Sequence, residues 1–307
     1  NKNKRNLKNR NQMKIKKIKP KSVNVKDRGT LEIKSRLSVL LLVFSLLFAF
    51  SHSAKAQCEA KNIAFQAGEK ATYALYFNWK FIWAKAGYAE LTTHEDVYNG
   101  DSVFKTHLIA AGTKKTDFFF IMRDTLTNYM TKQLEPIYFR KGAEEGKRYT
   151  IDEIYFSYKN GKSFVEQSRT FRDGEVQKNS HESEQCIFDM LTILAQARSY
   201  DPSQYNIGDK IQFDMATGKR VEGQTLIYRG RNFVEDENKV KYDCLVFSFV
   251  EYDGNNKEKE VITFYISNDE NHLPIRLDLF LNFGSAKAFL KKVEGNKYPF
   301  TSIITRK

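Results

Sequence analysis

The chain has 307 residues, 41% of them hydrophobic, 14% aromatic and 28% charged, with only 5 Pro and 16 Gly. That composition excludes a disordered, collagen-like or disulfide-scaffold protein, and a chain of this length buries about three quarters of the surface its unfolded form exposes, so metals and disulfides are not needed as staples. The net charge of +13 belongs to one segment: residues 1–56 hold 15 Lys or Arg against Asp27 and Glu32, and the rest of the chain is balanced, 35 basic against 35 acidic. A neutral body removes the counterion-release argument for a nucleic-acid partner.

In chain order, the first predicted element is an export signal. A basic stretch ending at Arg36 precedes a 14-residue apolar run, Leu37 to Phe50, and Ala54 and Ala56 then form an A-x-A site predicting cleavage between Ala56 and Gln57. The apolar run is too short to cross a hydrocarbon core comfortably, which takes about 20 residues. The expected mature protein therefore begins at residue 57, lies in the periplasm or at the envelope, and has no transmembrane span after cleavage. Cys58 invites a lipoprotein reading, but Gln57 stands where lipid attachment wants a small residue, so anchoring through Cys58 is not expected.

From residue 57 to residue 307 the sequence reads as one β-rich domain. Tyr73, Leu75, Phe77 and Trp79 alternate with smaller or polar neighbours, as do Ile154, Phe156 and Tyr158, then Leu245, Phe247 and Phe249, then Ile262, Phe264 and Ile266, then Leu277, Leu279, Leu281 and Phe283. Each set places one apolar face on a strand. Turn signals separate the strands at Asn99-Gly100, Asn160-Gly161, Asp173-Gly174, Asp253-Gly254 and Asn282 to Gly284, where φ > 0 is readily accepted. About a dozen antiparallel strands follow. They predict an all-β fold, a curled meander closing into a barrel, half-barrel or sandwich.

One principal helix is predicted over residues 182–199, where Ile187, Met190, Leu191 and Leu194 recur at helical spacing. Ser180 or Ser183 would cap its start, Arg198 sits in its last turn and Asp201-Pro202 stops it. It joins two strand-rich halves, residues 69–178 and 209–293. Cys186 and Cys244, once exported, are free to form a disulfide; two buried free thiols are the weightier alternative, because unpaired Cys behaves as a small hydrophobe.

Several pieces then resemble a family. Phe65-Gln66-Ala67-Gly68-Glu69-Lys70-Ala71-Thr72-Tyr73, Trp79, Ile82-Trp83-Ala84 and Ala86-Gly87-Tyr88-Ala89 are similar to the opening of exported bacterial proteins called domain of unknown function 3108. Phe188-Asp189-Met190-Leu191, Arg198, Gly208-Asp209-Lys210, Asp269 and Leu273-Pro274-Ile275 continue the series in order, over about residues 62–293. The resemblance implies an exported, mostly antiparallel β protein and supplies no catalytic residues.

The chemical motifs lead nowhere sharper. His94, His107, His181 and His272 form no zinc-binding spacing, and no cofactor or metal is implied. Gly100-Asp101-Ser102 lacks the nucleophile elbow, and Gly161-Lys162-Ser163 lacks the upstream glycine of a phosphate loop. Two carboxylates, Glu69 and Asp189, are the pair to inspect for a hydrolase acting on polysaccharide, with ordinary salt bridges as the alternative. The aromatic supply is denser than one core requires. Tyr73, Phe77, Trp79, Trp83, Phe118 and Phe119 are therefore the expected contacts of a hydrophobic or acyl ligand in a β-lined cavity, with a structural or interaction role on an envelope protein as the alternative.

Overall fold

A computed structural model describes residues 58–79, 82–118, 120–281 and 284–304. The leader and its cleavage site at Ala56 and Gln57 lie outside the described residues.

The period-two segments form strands: β1 (Lys70–Trp79), β2 (Ile82–Tyr98), β3 (Asp101–Gly112), β4 (Met122–Met130), β5 (Pro136–Glu145), β6 (Arg148–Lys159), β7 (Lys162–Phe171), β8 (Val176–Ser183), β9 (Ile187–Phe188), β10 (Lys210–Ala216), β11 (Val221–Glu235), β12 (Lys241–Tyr252), β13 (Glu258–Ser267), β14 (Pro274–Leu281) and β15 (Gly284–Glu294). Among the described residues these are fifteen strands, three more than the dozen the alternation suggests. Two helices accompany them, α1 (Lys114–Asp117) and α2 (Met190–Ala197). The tight turns fall where the sequence signals them. Asn99 and Gly100, and again Asn160 and Gly161, have φ > 0 at both central positions, the geometry whose twist matches a two-residue hairpin.

All fifteen strands share one sheet. From one edge the order runs β8 back to β1, then β15 back to β9, so first and last strands are neighbours in the middle, Lys70 opposite Glu294. Neighbours are antiparallel apart from the short parallel pair of β9 and β10. The result is an all-β, nearly closed barrel whose seam lies between β8 and β9. The seam strand β8 is polar and solvent-exposed along nearly its whole length, which blunts its unpaired edge against association.

The predicted helix is shortened from both ends. Residues 176–183 pair with β7, and Ile187 and Phe188 lie against Asp214 and Met215 of β10, so the apolar spacing that reads as helix begins in a strand. Neither Ser180 nor Ser183 caps α2; Asp189 does, its Oδ1 accepting from the backbone N–H groups of Leu191 and Thr192 at 2.8 and 2.9 Å.

Clusters from both halves of the sheet close over α2. Leu191 and Leu194 join Leu126, Phe139, Ile154, Phe156 and Val165. Ile193 joins Phe188, Phe213 and Leu226, with Phe247, Phe249 and Phe264 packed against them. At about 1.5–3 kcal/mol for each buried aliphatic or aromatic side chain, this packing is what holds an eight-residue helix together, since isolated helices of that length are marginal in water.

The cysteine expectation is corrected. The disulfide joins Cys58 to Cys186, with Cα atoms 5.4 Å apart, and Cys244 is the free thiol. Cys244 is fully buried beside Tyr242 and Ile275, in a different cluster from the one Cys186 packs against. Burial pushes its thiol up to about 12.

Candidate functional site

The two carboxylates singled out in the sequence are both consumed by the scaffold. Glu69 receives a two-pronged ion pair from Arg198, with Nη1 to Oε1 at 2.6 Å and Nη2 to Oε2 at 3.0 Å, and both side chains are almost wholly buried. The same guanidinium donates to the Asn271 carbonyl and lies over the Phe65 ring, while the Arg198 carbonyl accepts from His272 Nδ1 at 2.7 Å. This knot ties the segment before β1, the end of α2 and the loop between β13 and β14. Asp189 is fully buried; desolvation raises its pKa against the pull of its capping bonds, and its Oδ2 accepts from Thr192 Oγ1 at 2.6 Å. Thr192 Oγ1 in turn accepts from Asn128. Neither acid faces the other across an open cleft, so the hydrolase reading loses its residues.

The other family-like positions also serve the fold. A Cβ on Gly87 would lie 2.1 Å from the Ala111 carbonyl oxygen, which explains the glycine. The Gly208 N–H donates to the Tyr228 carbonyl, and the Asp209 carboxylate accepts from the Asn206 N–H. The Pro274 carbonyl accepts from the Tyr73 hydroxyl at 3.0 Å.

The described members of the expected ligand set do not share a lumen. Tyr73 is buried in the core, and burial raises its pKa. Trp83 is 41% exposed and Phe118 87% exposed. The Phe77 ring lies against Gly284. Phe119 and the side chain of Trp79 lie outside the described residues.

Four of these positions, Phe77, Trp79, Trp83 and Phe118, nevertheless map to one end of the barrel. Because β14, β15, β1, β2 and β3 are consecutive and antiparallel, the connections after β14, β1 and β3 stand side by side, opposite the Glu69–Arg198 knot. Pairing carries Phe280 to Ser285, Ser285 to Asn78 and Asn78 to Trp83, a row across four strands. Phe280, Leu281, Trp83, Phe118 and Phe120 are all exposed there. Lys287 Nζ sits 4.8 Å from the centre of the Trp83 ring. Lys114 and Lys115 are exposed on α1, and Asp117 is held by Arg123. Beside them a shallow pocket of about 300 Å³ is lined by Tyr88, Ile109, Lys114, Arg123 and Thr125 among others.

Sequence reasoning missed Phe280 and the Lys114-Lys115 pair. The available signal for Phe280 is that it falls on the off-beat of the Leu277, Leu279, Leu281 alternation, placing an apolar ring on a face expected to be polar.

The sequence pattern of the protein family of unknown function DUF3108 matches residues 72–291. The chain belongs to the DUF3108 family. No curated protein matches it. Among solved structures, a β-barrel-like protein of the domain of unknown function DUF1849 from Brucella abortus is similar to this DUF3108 chain at 10% identity and a TM-score of 0.50, covering 75% of this chain and 99% of that one. That likeness is one of fold. A protein described as exported, with a YmcC-like fold, from Bacteroides fragilis aligns at 9% identity and a TM-score of 0.31, over 76% of this chain and 99% of that one. Among the described residues of the DUF3108 barrel, no helix is long and apolar enough to cross a membrane.

Proposed function

We propose that this DUF3108 protein is an exported protein of the bacterial envelope that acts by binding, without catalysis, a hydrophobic or acyl partner at the end of the barrel where its aromatic connections gather. The observation that carries the reading is the set of exposed apolar side chains at Trp83, Phe118, Phe120, Phe280 and Leu281, on the ends of β2 and β14 and in the connection after β3, all at the same end of the sheet. Scattered surface hydrophobes are ordinary, whereas contiguous ones mark interaction sites. Export is supported by the basic, apolar and small-residue succession before residue 57 and by the Cys58–Cys186 disulfide, which suits an oxidising compartment. With its sulfur in that bond, Cys58 is not available for thioether acylation.

The barrel interior around α2 is packed with side chains, so the ligand site moves from the lumen imagined in the sequence to the rim. Each methylene removed from water there contributes about 0.8 kcal/mol. The test is titration of the purified protein with a fluorescent acyl probe, together with mass spectrometry of natively extracted material. Saturable binding, weakened by Trp83→Ser or Phe118→Ser, is expected. Absence of saturable binding and of any retained acyl compound would overturn the reading.

A further inference from the structure

Resting on that reading, we propose that the aromatic end of the barrel docks on the anionic surface of a lipid bilayer, its rings entering the headgroup region and its lysines meeting lipid phosphates. Two independent features point to this occupant. The first is shape. The exposed side chains of Trp83 and Phe280, at the ends of β2 and β14, and of Phe118 and Phe120, in the connection after β3, lie at one end of the sheet, so they can meet a planar surface together, which an enclosed cavity would not require.

The second is charge. Outside the leader the protein is formally neutral. At this end Lys114 and Lys115 are exposed, while Lys85, Arg123 and Lys287 are paired with Glu237, Asp117 and Asp278. The exposed lysine pair beside the rings is the charge that an anionic surface would meet. Aromatic rings with lysines beside them are what the interface between water and hydrocarbon favours: the ring takes the apolar side and the ammonium keeps to the phosphates. Lys287 over the Trp83 ring and the shallow pocket lined by Lys114, Arg123 and Tyr88 place cationic groups directly beside the rings. The mode is peripheral, lying on the membrane rather than crossing it.

The protein carries its own reporter, because both of its tryptophans lie at this end, Trp79 as the last residue of β1 and Trp83 near the start of β2. The full chain, expressed with its leader, is mixed with vesicles of phosphatidylethanolamine and phosphatidylglycerol, or of phosphatidylcholine alone, and followed by tryptophan emission and co-sedimentation. Anionic vesicles should shift the emission to the blue and pellet the protein, and phosphatidylcholine should do so far more weakly. Phe118→Ser with Phe280→Ser should lower partitioning more than tenfold. Lys114→Gln with Lys115→Gln should lower it about 30-fold at low salt, from about 1 kcal/mol for each lysine near an anionic surface, and little at high salt. Both variants alter exposed side chains, and an unchanged urea midpoint verifies that they fold; the lysine pair tests the proposal even if the aromatic pair misfolds. Equal partitioning of variants and parent, including any affinity owed to a retained leader, would overturn the proposal. If the parent ignores vesicles yet binds the soluble acyl probe saturably, the docking inference falls and the binding reading stands; if it does neither, both fall.

Discussion

Breaking the Cys58–Cys186 bond should destabilise the barrel by an amount set largely by the length of chain it encloses. The two cysteines are 128 residues apart, and the enclosed loop contains β1 to β8, half of the sheet and one side of its seam. Loop-closure entropy for that length is about 17 cal/mol/K, or about 5 kcal/mol at 25 °C, above the typical range of about 2–4 kcal/mol. Non-covalent contacts still hold the same segment when the bond is gone: the Cys58 carbonyl accepts from Gln196 Nε2 at 2.9 Å, and Phe65 packs on Phe104 with a centroid distance of 5.4 Å. The expected loss is therefore 2–5 kcal/mol. With a urea slope of about 3 kcal/mol/M, the midpoint should fall by roughly 0.7–1.7 M. The assay is urea unfolding followed by circular dichroism, for the oxidised protein, the reduced protein, Cys58→Ser, Cys186→Ser and the double variant. All four reduced or substituted forms should shift alike, because each loses the same cross-link. A midpoint unmoved by reduction, or Cys186→Ser far weaker than Cys58→Ser, would show that packing at one sulfur outweighs closure and would refute the argument.

Three more predictions concern buried polar chemistry. Glu69→Leu and Arg198→Met should each cost about 3–5 kcal/mol, because each strands a charge or its donors in the interior, while the two combined should recover much of that loss in a double-mutant cycle; simple additivity would contradict it. Cys244 should resist alkylation in the native protein at pH 8, since its thiol is buried and held at about 12; intact mass should show no label natively, one in urea and three after reduction, matching the 3 cysteines of the chain. Asp124 is half-buried with Lys141 at 3.5 Å and Glu145 near it, and desolvation raises its pKa. A raised carboxyl contributes its full stability below the ordinary range near 3.9 and loses it as pH climbs through the folded value, so Asp124→Asn should unfold at higher urea than the parent at pH 7 and at equal urea near pH 3. A more stable parent at pH 7 would mean that the Lys141 pair outweighs burial.

The fold was legible because a half-buried strand repeats every two residues and because Asn-Gly turns declare themselves through backbone chirality. The seam strand β8 was not, for a physical reason: an edge strand facing water has no apolar face and therefore no period. Its neighbour β9 misled in the opposite way, since the spacing from Ile187 to Leu191 and Leu194 fits a helix and only the parallel pairing with β10 separates strand from helix. The disulfide was invisible because spacing carries no information about which Cα atoms approach, and because Cys58 was read only through the leader beside it. The aromatic residues were found, but their depth was not. Alternation tells which residues share a face; it does not tell where along a barrel a strand passes from core into open connection, and Tyr73 and Trp83 differ in that alone.

The two ends of the barrel are built on opposite chemistry, and this makes structure and function separable by experiment. At the knot, Arg198, Glu69, Asn271 and Asp269 are buried and hydrogen-bonded to one another's segments, so nothing there is free to meet a ligand without first losing a native partner. At the aromatic end Phe118 is 87% exposed. Phe118 loses little of its contact with water on folding, so the fold gains little from its ring, and a serine in its place should leave the unfolding curve where it was. Substitution at Arg198 should therefore move stability, with binding changed only as far as the folded fraction falls, and substitution at Phe118 should move binding alone. A Phe118 variant that unfolded early would show the ring to be part of the core after all, and the aromatic end would then have no claim to be a site.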